Sequence, residues 1–444
     1  MKVKVLSRNP ADYVRERTTD IHKTPRNLDP SLHPFEAPRE YTLASNAAKL
    51  ERVFAKPFVG SLEGHTDGVN CLSRNQKSLS ILASGSCNGE VKIWNLAQRE
   101  EISSAQAHLG FVRGVCFNHS GENIISVGDD KIIKHWPSAP PTGSVMEPTN
   151  TIIHKTLFTG VDHHWTDDMF VTSGEAVELW DENRAAPVKS FSWGVDTITS
   201  VKFNYVETNL ICATSSDRGI FICDTRGANP LRKVIMKMKS NAIAWNPIEA
   251  YIFTAASEDS NLYTFDMRRL DMPVNVHMDH VAAVLDVDYS PTGQDIVTGS
   301  FDKTIRIFPR DRGHSREVYH TRRMQRVFCV KFSGDSKFIL SGSDETNIRI
   351  WKSNASEKLG PITPRQKAAM QYNEKLKDKF QHHPKIKRIL RHRHVPGFVY
   401  KSAKQTREMK NSERTKQRNV ELHSKPGSVE HVPERKKSVV VVQK

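Results

Sequence analysis

The stretch SGSDETNIRIWK (341–352) decides the fold, because its form recurs along the chain. Small residues come first, a turn follows, and apolar residues then alternate up to the bulky Trp351. Six other segments share this form: SGSCNGEVKIWN (84–95), VGDDKIIKHWP (127–137), TSGEAVELWD (172–181), TSSDRGIFICD (214–224), ASEDSNLYTFD (256–266) and TGSFDKTIRIFP (298–309). Their last bulky residues lie 42 to 44 positions apart, so the sequence contains seven repeats.

Each repeat has the hydrophobic pattern of β-strands. Apolar residues alternate with polar ones, as in 91–94 and 305–308, and turn residues bound the runs. The 3.6-residue period of a helix is absent. A further strand pattern lies upstream of each small-residue cluster, and histidines precede several repeats, namely His65, His108, His280 and, less regularly, His320.

These repeats resemble WD repeats, which form the four-stranded blades of a β-propeller. The resemblance implies an all-β fold with seven blades. In that family an Asp caps a tight turn and bonds the His, which meets a Ser or Thr and the Trp. The sets implied for the first and sixth blades are His65, Asn88, Ser84 and Trp94, and His280, Asp302, Thr298 and Phe308. We interpret these sets as buried hydrogen-bonding groups and not as catalytic triads.

Two departures from the repeat pattern lead to structural predictions. Gly174 takes the place of the turn Asp in the third repeat, which predicts a short, irregular third blade. No strand pattern follows Trp351, whereas residues 58–62 can form one. We therefore expect this early strand to complete the last blade, which leaves no open sheet edge at the seam.

The charge of the chain is concentrated near its end. Lys and Arg number 65 against 50 Asp and Glu, and residues 352–444 alone hold 24 basic and 8 acidic side chains. We therefore predict three regions, with an irregular extension at 1–57, a near-neutral propeller at 58–352 and a basic helical region at 353–444. No apolar run is long enough for a membrane span, and neither a secretory signal nor a disulfide framework is expected.

The first region holds six prolines, which favours irregular structure. Its apolar residues suggest an arm that packs on its own propeller or on a partner, and they are Tyr13, Leu28, Phe35, Tyr41 and Leu43.

The last region has helix signals. Thr363-Pro-Arg-Gln366 forms a capping box with Pro at the first helical position, and an apolar stripe follows at every fourth residue, from Ala368 to Phe380. Pro384 can open a second helix with one apolar face, and the stretch 402–422 permits a third. The final residues, 435–442, are expected to fray.

The flanking segments sharpen the resemblance. The start Lys4-Val-Leu-Ser-Arg8, the arginine-rich 322–328, Pro364-Arg-Gln366 and His394-Val-Pro-Gly-Phe398 together resemble the WD-repeat-and-SOF-domain family, named for suppressor of fibrillarin. The resemblance implies a nucleolar factor of the small-subunit processome that works with the box C/D small nucleolar ribonucleoprotein in 18S ribosomal RNA maturation. It also implies a second role, as substrate receptor of a cullin-RING ubiquitin ligase.

The residues themselves favour contact with RNA or ribonucleoprotein over a merely solvated tail. Cations around an apolar stripe suit a phosphate backbone, because neutralised phosphates release counterions. The candidate RNA-binding residues are Lys385, Lys387, Arg388, Arg391, Arg393, Lys401, Lys404 and Arg407. Arg322, Arg323 and Arg326 form a candidate partner-binding loop, which could extend the RNA surface or bind an acidic protein patch.

Asp224-Thr-Arg226 and Asp266-Met-Arg268 end two repeats and match the Asp-x-Arg ending of ligase-adaptor-binding WD proteins. An Asp and Arg after a strand are also common turn formers. The pairs His163–His164, His382–His383 and His392–His394 lack acidic or Cys partners at ligand spacing, so we expect solvated or RNA-facing histidines and neither metal nor cofactor.

No phosphate-binding loop or zinc-protease motif is present, so the sequence predicts no enzyme activity. Two hypotheses follow. One is a nuclear, nucleolar scaffold of ribosome assembly that contacts pre-ribosomal RNA, small nucleolar ribonucleoprotein and other processome proteins. The other is a cullin-RING ligase substrate receptor, and the two are compatible.

Overall fold

The seven repeats form seven antiparallel β-sheets. The computed structural model describes residues 30–138, 146–192, 194, 197–227, 229–425, 427–429 and 432–443. In six blades four strands follow one another in chain order, whereas the seventh combines three consecutive strands with the first strand of the chain. The first strands of neighbouring blades contact each other around the ring. The predicted seven-bladed propeller, with helices in the C-terminal region, is confirmed.

The first four blades follow the chain order of their strands. Blade 1 comprises β2–β5: Val69–Arg74, Ile81–Ser86, Glu90–Asn95 and Glu100–Gln106. Blade 2 comprises β6–β9: Val112–Phe117, Asn123–Gly128, Ile132–Pro137 and Asn150–Ile153. Blade 3 comprises β10–β13: Gly160–His163, Met169–Ser173, Val177–Asp181 and Lys189–Phe191. Blade 4 comprises β14–β17: Ile198–Phe203, Leu210–Ser215, Gly219–Asp224 and Arg232–Met236.

The remaining elements complete the ring and its flanks. Blade 5 comprises β18–β21: Ser240–Trp245, Ile252–Ser257, Asn261–Asp266 and Asn275–Met278. Blade 6 comprises β22–β25: Val284–Tyr289, Asp295–Ser300, Ile305–Pro309 and Glu317–Tyr319. Blade 7 comprises β26–β28 and β1: Val327–Phe332, Phe338–Ser343, Ile348–Lys352 and Phe58–Leu62. The helices α1–α4 are Glu36–Val53, Pro364–Lys379, Pro384–Arg391 and Gly397–His423, and the last strand, β29, is Val439–Gln443.

The ring closes as the sequence predicts. β1 pairs antiparallel with β28, with Phe58 opposite Trp351 and Leu62 opposite Ile348. The N–H of Lys352 also donates to the carbonyl of Pro57 at 2.8 Å. An early strand therefore forms the outer strand of the last blade, and the seam has no open edge.

Buried polar groups join the strands and loops within a blade where the repeat pattern is complete. In blade 2, His108 bonds Asp130 at 2.9 Å and the Ser126 hydroxyl at 2.8 Å, and the Trp136 indole donates to that hydroxyl at 2.9 Å. These side chains are almost fully buried. Hydrogen bonding offsets the cost of removing the polar groups from water, so the set is structural.

The sixth blade matches its expected set. His280 bonds Asp302 at 2.9 Å and the Thr298 hydroxyl at 2.7 Å, while the Phe308 ring packs beside the imidazole. Burial raises the pKa of Asp302, but attraction to His280 and hydrogen bonds from His280 and Thr304 outweigh it, so its pKa falls to about 2.

The first blade corrects one expected partner. His65 bonds the Ser84 hydroxyl at 2.7 Å, and the Trp94 indole donates to the same oxygen at 2.7 Å. The other imidazole nitrogen meets Glu90 at 3.3 Å instead of Asn88. Asn88 still caps the turn, since its side-chain oxygen accepts from the Glu90 N–H at 3.0 Å.

The predicted turn caps recur in the other repeats. In four of them the turn Asp accepts the N–H two residues later, and the residue between the two has a positive φ: Lys131, Arg218, Ser260 and Lys303. Glu345 of the seventh repeat instead accepts from the Arg349 guanidinium. Blade 3, where Gly174 replaces the Asp, has strands of only three to five residues, so it is short as expected. It is not irregular, however, because its strand pairs have no register shift.

The N-terminal extension is not irregular throughout, which corrects the sequence expectation. Residues Glu36–Val53 form the 18-residue helix α1. Pro38 lies in its first turn, where a missing N–H costs no helical hydrogen bond. Ala44 and Ala48 are fully buried against Leu376 and the apolar face of α3, so the helix is stabilised by packing. Tyr13 and Leu28 lie outside the described residues.

The chain divides into two compact units that differ from the three predicted regions. One contains Met1–Lys56 and Asn354–His392, and the other contains Pro57–Ser353 and Arg393–Lys444. In the first unit, α1 packs on α2 and α3, so the predicted arm packs on the C-terminal helices. The Tyr41 ring lies 6.0 Å from that of Phe380.

The end of the chain forms a strand, which corrects the expectation that residues 435–442 fray. β29 pairs antiparallel with the outer strand β17 and makes blade 4 a five-stranded sheet. Val439 and Val442 pack against the core between blades 4 and 5. A run of β-branched residues is stable here because it finds an unpaired sheet edge.

We predict that buried histidines make the fold sensitive to acid. Burial lowers the pKa of His108 below its usual value of about 6.5, so the folded state keeps this ring neutral. The unfolded chain then binds more protons just below pH 6.5, and stability falls as the pH falls through that range. Thermal unfolding between about pH 7.5 and 5.5 measures this loss.

The variant His108→Gln removes the titrating group and should show a shallower pH dependence, at a cost of about 1–3 kcal/mol at pH 7.5. The matched control is His423→Gln, because His423 is exposed on α4. Equal pH slopes for wild type and His108→Gln would contradict the prediction.

Candidate interaction surfaces

The strand order of the blades defines two faces of the ring. Because successive strands are antiparallel, loops that enter each first strand and loops between second and third strands lie on one face, which we call the top. The other loops lie on the bottom face. The loop 320–326 enters β26 and is on the top face, whereas residues 224–227 and 266–269 follow third strands and are on the bottom face.

The two Asp-x-Arg motifs have the same geometry on adjacent blades. Asp224 accepts the Arg226 N–H at 2.9 Å and two guanidinium bonds at 3.1 and 3.0 Å. Asp266 holds Arg268 in the same way, with bonds of 2.8 to 3.2 Å. The bidentate Arg bond is the largest cause that holds the pKa of each Asp below its usual range. Each carboxylate therefore fixes an arginine on the surface.

Both arginines remain accessible. Their side chains are 70% and 66% exposed, and the Arg268 guanidinium lies 4.7 Å from the centre of the Tyr251 ring. Arg232 joins the two blades, because its guanidinium donates to the carbonyls of Met267 and Arg268 at 2.9 and 3.1 Å. The bottom face thus presents two oriented arginines on neighbouring blades.

The top loop presents its arginines around a buried anchor. Met324 is 2% exposed, while Arg322 and Arg323 are exposed. Arg326 stacks on the exposed Phe301 ring at 4.2 Å. The loop is therefore fixed at its centre, with cations on both sides.

The helix α3 separates an apolar face from a cationic one. Ile386 is fully buried, and Ile389 and Leu390 pack on the same core, as the sequence predicts. The remaining candidates on this helix are exposed, namely Lys385, Lys387, Arg388 and Arg391. Among the described residues of its unit, none of these four lies in an ion pair, whereas Lys377 of α2 pairs with Glu51 at 2.7 Å.

The helix α4 carries the other candidates. Lys401, Lys404 and Arg407 are exposed, and only Val399 is buried among the described side chains of this 27-residue helix. Lys404 lies 3.9 Å from Glu408, an exposed pair that contributes little.

Arg393 differs from the other RNA-binding candidates. Its guanidinium donates to the Arg316 carbonyl at 2.7 Å and meets Glu317 at 3.0 Å, and its side chain is only 15% exposed. Its guanidinium is therefore engaged within the protein, unlike those of the other described arginines among the RNA-binding candidates. It attaches the segment before α4 to blade 6, a role hidden from the sequence because Glu317 lies 76 residues earlier.

We predict that Arg393→Ala destabilises the protein by about 3 kcal/mol, because it leaves the Glu317 carboxylate, 8% exposed, without this partner. The measurement is the free energy of unfolding in urea. The control Arg391→Ala removes the same charge from an exposed position and should change stability by less than about 0.5 kcal/mol. Equal effects of the two substitutions would refute the role given to Arg393.

The histidine pairs differ in their exposure to solvent. His163 and His164 are 3% and 1% exposed, and His163 bonds Glu182 at 2.6 Å, so the expectation of solvated histidines is wrong for this pair. His382 and His383 are exposed. Among the described residues, no group of three or more His, Cys, Asp or Glu side chains is placed to hold a metal ion.

The described helices include none that is long and apolar enough to cross a membrane.

The strand β29 and the contacts of the chain end with α4 were not predicted from the sequence. The valine run 439–442 was the available signal, but its partner strand lies some 200 residues earlier. Glu434 pairs with Arg414 of α4 at 3.1 Å, and Lys437 donates to Gln417 at 3.1 Å. The chain end therefore contacts α4 as well as blade 4.

Comparison with known proteins connects these surfaces to a family. The WD domain, G-beta repeat model matches residues 56–95, 99–137, 272–308 and 313–352, and the Sof1-like domain model matches 353–439. Residues 160–266, which form blades 3 and 4 and the first three strands of blade 5, lie outside these matches, yet their strands follow the same order.

Curated relatives match along the whole chain. The chain is 61% identical over 443 residues to DDB1- and CUL4-associated factor 13 of Danio rerio, with both chains fully covered. It is 60% identical over 445 residues to the Homo sapiens protein of the same name, also with full coverage. It is 46% identical over 466 residues to Protein SOF1 of Saccharomyces cerevisiae, covering 99% of this chain and 94% of that one. The chain belongs to the family of WD-repeat proteins that carry a Sof1-like domain.

Proposed function

We propose that this protein is a non-catalytic ribosome biogenesis scaffold of the nucleolar small-subunit processome, required for 18S pre-ribosomal RNA processing. The observation that carries the proposal is the Sof1-like domain at 353–439, on a chain similar from end to end to Protein SOF1. In this role the propeller binds processome proteins, and the helices after it bind pre-ribosomal RNA or small nucleolar ribonucleoprotein.

Electrostatics supports the proposal that the helices after the propeller bind RNA. The four exposed cations of α3 have no carboxylate partner among the described residues of their unit. Each can replace a counterion on a phosphate, which gives affinity without reading the base sequence. The apolar side of α3 is occupied by α1, so the cationic side is the one available to a ligand.

We predict that the variant Lys385→Ala/Lys387→Ala/Arg388→Ala/Arg391→Ala binds RNA at least about tenfold more weakly at physiological salt. It should also co-purify with less pre-ribosomal RNA and have a shallower salt dependence of binding. Charge variants are preferable to removal of residues 353–444, because truncation would also remove Arg393 from Glu317 and β29 from β17.

The matched control removes four exposed propeller cations, in the variant Lys77→Ala/Arg184→Ala/Lys237→Ala/Lys337→Ala. It changes the net charge equally and should retain RNA association. Unchanged RNA binding by the α3 variant, with the wild type binding normally, would remove α3 from the RNA surface.

A second function is favoured by a separate observation. We propose that the same chain serves as substrate receptor of a cullin-RING ubiquitin ligase, with the bottom face docking the adaptor. The support is the paired geometry of Arg226 and Arg268 together with relatives named for association with DDB1 and CUL4. Arginines held by a carboxylate lose less rotamer freedom on binding, which suits an interface anchor.

We predict that Arg226→Ala/Arg268→Ala weakens binding of purified DDB1 at least about tenfold, while pre-ribosomal RNA co-purification is retained. Surface plasmon resonance and RNA immunoprecipitation measure the two activities. The control Arg322→Ala/Arg323→Ala removes two arginines from the top face and should leave DDB1 affinity unchanged. Loss of RNA association in the bottom-face variant would mean that the two surfaces are wrongly assigned.

A further inference from the structure

We propose that Arg322 and Arg323 of the top loop form one surface with α4, and that this surface binds the phosphate backbone of RNA. The inference rests on the RNA-binding role proposed above and deepens it, because it decides between RNA and an acidic protein as the ligand of the loop. All of the residues involved belong to the unit that contains the propeller and Arg393–Lys444.

The segment before α4 is attached beside the top loop. His394 Nδ1 lies 3.2 Å from His320 Nε2, and His320 Nε2 lies 3.3 Å from the His394 carbonyl oxygen. The preceding residue, Arg393, itself contacts Glu317 at 3.0 Å. Arg322 is two residues from His320, at most about 7 Å along the chain, and α4 begins three residues after His394, within about 11 Å. The first turn of α4 therefore starts next to the arginine loop.

One face of α4 carries a continuous polar stripe. Its residues recur at steps of three or four, the spacing of a single helix face, and all are exposed: Tyr400, Lys404, Arg407, Asn411, Arg414 and Arg418. At 1.5 Å per residue the stripe is about 27 Å long. Apart from one buried valine, the described residues of this helix have no apolar core contact, as expected for a helix that meets a polar partner.

The positive charges along this surface favour a negatively charged ligand. The loop 320–326 has no acidic residue, and the stripe itself has none. Two stripe cations have nearby carboxylates, Glu408 at 3.9 Å from Lys404 and Glu434 at 3.1 Å from Arg414. Both pairs are well exposed, so a phosphate can replace the carboxylate at little cost.

The arrangement favours RNA over an acidic peptide. Cations spaced along roughly 27 Å match a ligand with regularly repeated charge, which is the property of a phosphate backbone. Tyr400, 67% exposed, lies in the same stripe and provides a ring for base stacking. An acidic segment of protein would use the loop arginines without needing this helix.

The test compares full-length variants on a fluorescein-labelled RNA hairpin of about 20 base pairs, over a series of salt concentrations. Arg322→Ala/Arg323→Ala should reduce the slope of log affinity against log salt by about 2, since each lost phosphate contact removes about one unit. Lys404→Ala/Arg407→Ala should do the same, and the combined variant should lose about 4. The matched control Arg226→Ala/Arg268→Ala removes equal charge from the bottom face and should keep the wild-type slope.

Crosslinking of the bound hairpin gives an independent result, because peptides from 320–326 and 397–418 should attach to the same RNA molecule. If the wild type binds the hairpin but the loop variant keeps its slope, or loses only binding to a poly-glutamate peptide, the loop serves a protein and the inference is overturned. If the wild type itself does not bind RNA, the proposed function fails as well, so the two failures are distinguishable. Unchanged thermal midpoints exclude misfolding, as both loop arginines are exposed.

Discussion

The pairing of β1 with β28 is the constraint on which the rest of the molecule depends. It joins residues at opposite ends of the propeller sequence and leaves no open edge at the seam. It also places Pro57 and Lys352 in hydrogen-bond contact. The two flanking segments therefore leave the ring from the same place, which makes it possible for α1 and the helices α2 and α3 to share one core although more than 300 residues separate them.

The features predicted correctly are those that repeat. Seven alternating segments with nearly constant spacing identify the blades, and the polar set of His280 follows from its position in the repeat. The set of His65 shows the limit of this reasoning. The repeat position assigns Asn88 as its partner, but the longer side chain of Glu90 reaches the imidazole instead. Side-chain reach within a turn is not encoded by spacing alone.

The features missed depend on partners distant in sequence. α1 was hidden by the six prolines of residues 1–57, only one of which, Pro38, lies in the helix. Its alanine face is buried only by packing against Leu376 and Ile386. β29 required an outer strand some 200 residues earlier, and Arg393 required Glu317. The cationic candidates were found from composition, but composition does not distinguish a cation that is available to a ligand, such as Lys387, from one that holds the fold together. Burial and ion-pair geometry make that distinction.

Closure of the ring also has a consequence for synthesis on the ribosome. Residues 63–347 must be translated between β1 and β28. At about 5–20 residues per second this takes roughly 15 to 60 s, during which β1 has no partner strand. Such distant pairing gives a high contact order and slow folding. The nascent chain therefore exposes the apolar strand Phe58–Leu62 for most of its elongation, which makes this segment a natural binding site for chaperones that act during translation.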